Sequence, residues 1–251
     1  MRFWFAIILV LSSPVFAAPD ASLRPPEKTS KGAATQSVPN AAVPATSNVS
    51  GIKVSLRPKL RPRKFRRIAR AQERLRQKGA VCGDLDIQGD IAGRVTGERT
   101  GCGIQNAVRV RSVSGITLSQ PAVLDCTTAQ ALKSWVDATA KPALSRKGGG
   151  LKQLRVAAHY SCRTRNNRAG ARLSEHSKGR AIDISAVRLQ DGSLITVRNG
   201  WNGKDTAQAM RQLHKGACGP FGTVLGPNSD RFHVDHFHFD TARYRSGPYC
   251  R

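Results

Sequence analysis

Apolar positions along this chain of 251 residues recur with different spacings, and each spacing predicts an element. Ala131, Leu132, Trp135 and Val136 follow the helical period, so a helix capped by Thr128 and ending before Pro142 is expected. A second helix, capped by Asp205 or Thr206, passes through Met210 and Leu213 and is stopped by Gly216 and Gly219-Pro220. Strands are expected over Leu154–Ser161, Ala181–Leu189 and Leu194–Val197. Gln190-Asp191-Gly192-Ser193 joins the last two as a hairpin. Phe232–Asp240 alternates as a final strand, on which residues 236, 238 and 240 share one face and Phe237 and Phe239 the other. Gly79 to Cys126 is rich in glycine and shows only short strand-like runs such as Val108–Val113, and Lys147-Gly148-Gly149-Gly150 reads as a flexible loop. Helix, three strands, helix, strand is an α+β pattern, with a mainly antiparallel sheet.

The N-terminal third follows other rules. Arg2, the apolar run Phe3–Leu11 and the small-residue stretch Ser12–Ala18 read as a signal peptide, residues 1–17, cleaved after Ala17. That run is too short to span a bilayer. Residues 18–52, rich in Ala, Pro, Ser and Thr without a period, read as a disordered linker. Residues 53–78 hold twelve Lys/Arg against Glu73 alone. Pro58 and Pro62 keep the first half extended, and a short helix is expected from Phe65, with Phe65, Ile68, Gln72 and Leu75 along one stripe. This basic segment reads either as a solvated linker or as a tether to an anionic surface, such as an anionic membrane. Residues 79–251 suit a single domain with its own core.

Charge and cysteine narrow the function classes. Lys and Arg number 41 against 16 Asp and Glu, a formal net charge of +25, which points to an anionic partner. Export places that partner in the cell envelope, periplasmic or extracellular, and argues against nucleic acid. Cys82, Cys102, Cys126, Cys162, Cys218 and Cys250 all follow residue 80 and form no CxxC pair. Disulfides are the expected use in an oxidising compartment. Proximity along the chain suggests Cys82–Cys102, and the remaining pairing stays open.

The chemistry concentrates in two short segments. Ser174 to Asp183 contains His176, and His233 to Asp240 contains three of the six histidines. A catalytic zinc takes three ligands from imidazole and carboxylate and leaves one position open, and His176, Asp183 and His238 supply such a set. Gly179 permits a tight turn between the first two.

Ser174, His176, Gly179, Ala181 and Asp183 match S-x-H-x-x-G-x-A-x-D, and His236-Phe237-His238 matches H-x-H. Together they resemble the zinc peptidases of the peptidoglycan D-Ala-D-Ala carboxypeptidase and endopeptidase group, whose fold is shared with the hedgehog signalling domain. Gly101-Cys102-Gly103, Leu118–Cys126 and His159-Tyr160-Ser161-Cys162-Arg163 extend the likeness to the bacterial extensin-like C-terminal family, over roughly residues 80–250. The resemblance implies a zinc ion on His176, Asp183 and His238, and a water activated for attack on a peptide carbonyl. It implies a general base drawn jointly from Asp235 and His236. Strict strand alternation turns Asp235 away, so its role requires a bend near residue 235. Arg163 corresponds to an arginine that stabilises the oxyanion, and Ser174 to a residue orienting substrate or the histidine loop. His233 reads as support for the site, and His159 and His214 as structural. The expected function is hydrolysis of peptidoglycan peptide bonds by an exported zinc enzyme. The alternative is a non-catalytic module of the same fold that binds peptidoglycan or another anionic envelope polymer.

Overall fold

The computed structural model describes residues 63–251, so the expectations for residues 1–17, 18–52 and 53–62 lie outside the described residues. The chain enters through helix α1 (Arg63–Gly79), earlier and longer than the helix expected from Phe65. A short strand β1 (Ala80–Val81) then turns into three long antiparallel strands, β2 (Asp84–Thr96), β3 (Gly103–Val113) and β4 (Ile116–Leu124). This is the glycine-rich region in which only short strands were legible. Register shifts at Gln88/Gly89 and on both sides of Gly93 break the alternation along β2, while its ladder with β3 continues. Pro121 is tolerated within β4 because the β3–β4 pairing skips between Val110 and Ser112, where no partner needs its missing N–H.

Helix α2 (Cys126–Trp135) follows, capped by Asp125, whose Oδ1 accepts the N–H of Thr128 at 2.8 Å. Thr128 thus sits buried inside the helix instead of capping it. Pro142 does not end the run either. A π turn (Val136–Ala140) passes directly into α3 (Lys141–Leu144), whose first turn holds Pro142 where an N–H is dispensable. Strand β5 (Leu151–Ala158) starts straight from Gly150, three residues earlier than expected. Strand β6 (Ala181–Leu189) and β7 (Leu194–Thr196) form the expected hairpin, and Val197 opens the short helix α4 (Val197–Gly200). Helix α5 (Ala207–Ala217) runs through Gly216, and the Thr206 side chain donates to the Gly200 carbonyl instead of capping it.

Strands β8 (Thr223–Leu225), β9 (Phe237–Asp240) and β10 (Tyr249–Cys250) complete one ten-stranded sheet in the order β1-β2-β3-β4-β5-β6-β9-β8-β10, with β7 beside β6. Only β4–β5 and β8–β10 pair in parallel. The fold is α+β with a mainly antiparallel sheet. The final strand is shorter than expected. Asp230 accepts the Phe232 N–H and holds His233 Nδ1 at 2.7 Å, an Asx turn that keeps residues 230–236 out of the sheet.

Helices α2, α3 and α5 cover one face of the sheet. Trp135, Leu132, Met210, Phe221, Phe237 and Phe239 are fully buried there, each contributing about 1.5–3 kcal/mol of transfer free energy. The Trp135 ring meets Phe239 edge-on at 5.1 Å, and its indole N–H donates to the Leu213 carbonyl at 2.9 Å. Phe237 and Phe239 therefore anchor β9 to the helices and turn the side chains between them to the opposite face.

Three disulfides pair Cys82 with Cys126, Cys102 with Cys162, and Cys218 with Cys250. The expected Cys82–Cys102 bond is corrected. β2 separates the two cysteines by thirteen residues of strand, roughly 40 Å of extended chain. Cys82 instead meets the start of α2, and Cys102 meets the segment after β5. The three bonds fit a protein of an oxidising compartment. Among the described residues, no helix is long and apolar enough to cross a membrane.

Candidate metal centre

Two neighbouring strands and one short turn build the site. Asp183 on β6 and His238 on β9 are directly opposed in the ladder, so their side chains leave the same face as near neighbours. His176 arrives from a single 3-10 turn (Glu175–Lys178) whose N-cap is Ser174. Gly179 ends that turn at φ +66°, and a Cβ there would lie 2.2 Å from Ile104 Cδ1. No other residue satisfies both the left-handed backbone and the close approach, so Gly179 fixes the distance from His176 to Asp183.

His176 Nε2 lies 3.2 Å from Asp183 Oδ1 and 3.2 Å from His238 Nδ1, and His238 Nδ1 lies 2.9 Å from the same carboxylate oxygen. All three residues are buried. Outer partners set the imidazole protons. His176 Nδ1 donates to the His159 carbonyl at 2.7 Å, and His238 Nε2 donates to Asp240 Oδ2 at 3.1 Å. With those protons outside, two nitrogen lone pairs and a carboxylate face one another about 3 Å apart. Only a shared proton or cation relieves that convergence. His176, Asp183 and His238 form a buried group that can hold a metal ion.

Electrostatics agree with this donor set. Burial alone would raise the Asp183 pKa, but in the metal-free centre an inward proton shared with it by His176 and His238 outweighs burial and holds the carboxyl well below the usual range. Burial likewise disfavours the His238 cation, yet Asp183 and Asp240 overcome this and push its pKa up to about 9. The centre therefore attracts positive charge.

The group sits in a cavity of about 730 Å³. Of the residues expected from sequence, Arg163, Ser174, His176, Asp183, His236 and His238 all line it. Arg163 Nη2 stands 3.9 Å from Asp183 Oδ2, and the adjacent Cys162 is bonded to Cys102, which ties that segment to the β2–β3 hairpin. Ser174 Oγ accepts the His176 N–H at 3.4 Å, so it orients the ligand turn. His236 Nε2 is 3.8 Å from Asp183 Oδ2.

Asp235 is placed differently. The chain does bend at this point, but the carboxylate is half exposed and absent from the cavity lining. Its Oδ1 accepts from His236 Nδ1 at 2.9 Å and its Oδ2 from Arg198 Nη2 at 3.3 Å. The hydrogen bond from His236 is the largest influence and depresses its pKa, burial opposes it, and Arg198 adds a lesser lowering. His233 lines the cavity with its ring held by Asp230, whereas His214 packs on Trp201 and bonds the Arg251 carbonyl at 2.9 Å. His159 contributes to the centre through its backbone carbonyl.

Asp240 and Arg198 join the site as residues not expected from sequence. Asp240 had a usable signal, because it is two residues from His238 on the same strand face. Arg198 had none, being separated from Asp235 by 37 residues and one among many arginines.

The model of the family described as Extensin-like protein C-terminus matches residues 86–251, and the chain belongs to that family. No curated protein and no solved structure matches it.

Proposed function

We propose that this extensin-like protein is an exported zinc hydrolase that cleaves peptide bonds of peptidoglycan. The observation that carries the reading is the convergence of His176 Nε2, Asp183 Oδ1 and His238 Nδ1 at 2.9–3.2 Å on the wall of an open cavity. Ligands about 2.0–2.1 Å from a tetrahedral zinc stand about 3.3 Å apart, close to these spacings. Two imidazoles and one carboxylate suit zinc, whereas calcium takes six to eight oxygens at longer range. When bound, such an ion acidifies water and polarises a carbonyl.

The protein's own groups supply the remaining tasks. His236 is the general base that takes a proton from the attacking water at Nε2. Asp235 accepts its Nδ1 proton and fixes that tautomer, and Arg198 holds Asp235 in place. The Arg163 guanidinium lines the cavity beside Asp183 and stabilises negative charge developing on the substrate carbonyl oxygen. The sequence motif's likeness to the murein peptidases supports peptidoglycan as the substrate class, as does the excess of cations facing an anionic envelope.

The test is a metal assay on oxidised protein followed by incubation with isolated sacculi. One zinc per chain and release of muropeptides that EDTA abolishes are expected, and His176→Ala should retain no zinc. Zinc bound without cleavage would instead support a binding module of the same fold. Full metal content in His176→Ala would refute the site.

A further inference from the structure

α1 is the longest helix among the described residues, and the hydrolase reading leaves it without a task. Its seventeen residues carry eight Lys/Arg and one Glu. At 100° per residue, Arg66, Arg67, Arg70, Arg74 and Lys78 fall within about 120° of arc, and Phe65, Ile68, Ala69 and Gln72 fall on the opposite side. Only the C-terminal end of the helix is fastened to the domain. Arg76 pairs with Asp86 and donates to the Leu85 carbonyl at 3.2 Å, while Gln88 Nε2 donates to the Arg76 carbonyl at 2.9 Å. Phe65 and Ile68 lie two to three turns before that attachment and remain 59% and 46% exposed.

A dissolved polyanion would engage the cations and gain nothing from this apolar stripe. A bilayer surface engages both. A basic face opposite exposed Phe and Ile is the pattern of a helix lying in the membrane interface, its apolar side in the headgroup–acyl boundary. Lys64 borders the stripe on the wheel, where a long cationic side chain reaches back to phosphates, while Arg76, at the C-terminal end of the same side, is held by Asp86. We infer that α1 docks this protein on an anionic lipid surface, with Phe65 and Ile68 entering the lipid and the arginine face held by headgroup charge. The inference is independent of the hydrolase reading, since it uses none of the cavity residues.

Vesicle flotation tests it, using the oxidised chain without the apolar residues 1–17, which could insert by themselves. Vesicles of phosphatidylcholine alone are compared with vesicles containing about one-third phosphatidylglycerol, and the anionic ones should bind at least about tenfold more tightly. Phe65→Ser with Ile68→Ser should weaken that binding about tenfold or more. Arg66→Glu with Arg70→Glu and Arg74→Glu should weaken it about a hundredfold or more. All five side chains are exposed, so near-UV circular dichroism should match the native chain in both variants. If the Phe65/Ile68 variant binds anionic vesicles as well as the native chain, the occupant is a polyanion recognised by charge alone and the inference is overturned. Equal binding to both kinds of vesicle overturns it too.

Discussion

Replacing Asp240 by Asn probes the metal centre without touching a ligand. The Asp240 carboxylate is buried and fully used, with Oδ2 accepting from His238 Nε2 at 3.1 Å and Oδ1 accepting the Ala242 N–H at 2.9 Å. Asparagine offers one acceptor oxygen and one NH2 group in the same space. If its oxygen stays on Ala242, the NH2 group confronts His238 Nε2–H and drives the ring proton to Nδ1. That proton then points at Asp183 Oδ1, 2.9 Å away, where the metal would be held. If the amide turns over, His238 keeps its tautomer but loses the neighbouring negative charge that makes it a strong ligand, and the Ala242 N–H is left facing a donor.

Both orientations weaken metal binding, and the loss of an outer carboxylate on a ligating histidine is typically 10–100-fold. That corresponds to about 1.4–2.8 kcal/mol. Competition for zinc against a chromophoric chelator at neutral pH measures this directly, for the native chain and Asp240→Asn side by side. Urea unfolding of the metal-free proteins provides the control, because an amide left facing Ala242 N–H lowers stability without zinc. A zinc affinity within twofold of the native value would refute the assigned tautomer, and with it the claim that the three lone pairs converge.

Removing the Cys102–Cys162 bond with serines opens a link across 60 residues; chain entropy sets the loss near 4 kcal/mol, read from urea midpoints. If the chain hydrolyses peptides as proposed, that activity should fall further than stability explains, because Arg163 adjoins the lost anchor. Trp135→Phe keeps a ring against Phe239 but removes the indole N–H bond to the Leu213 carbonyl, for a loss of about 1 kcal/mol in the same assay. Asp137→Asn should lower Tm at pH 7. Burial opposes ionisation of Asp137, but Ser114, Lys141 and Lys133 hold its pKa below 3.8, so its contribution is present above that pH and fades as acid protonates it. The Tm gap between native and variant should therefore close on acidification, and a gap independent of pH would exclude this charge effect.

What was legible in the sequence is what local stereochemistry determines. Phe237, His238, Phe239 and Asp240 alternate because a strand with one face on a helical layer must alternate, and the observed strand does so. Gly179 was legible because a ligand turn that reverses within four residues needs a left-handed position. The disulfide pairing was not, since it depends on where a thirteen-residue strand carries its ends. The long strands β2 and β3 were hidden by bulges that break period two while the ladder persists. Alternation also failed when extended back through residues 232–236, where Asp230 captures two nearby N–H groups and outcompetes strand pairing.

These limits bear on where the site's precision comes from. The match of Ser174, His176, Gly179, Ala181 and Asp183 specifies one turn and one strand, but the third ligand arrives only through the pairing of β6 with β9. Asp183 opposes His238 while Ile182 opposes Phe239, so one register brings the candidate ligands together on one face and sets Phe239 against Trp135 and Phe237 against Trp201 on the other. A slip by one residue would carry His238 into the helical layer and Phe239 into the cavity. The buried aromatic side chains thus act at a distance on the candidate metal centre. Burying Phe237 and Phe239 under α2 and α5 selects the register that brings His238 to Asp183, which is why core packing and ligand geometry in this protein cannot be varied independently.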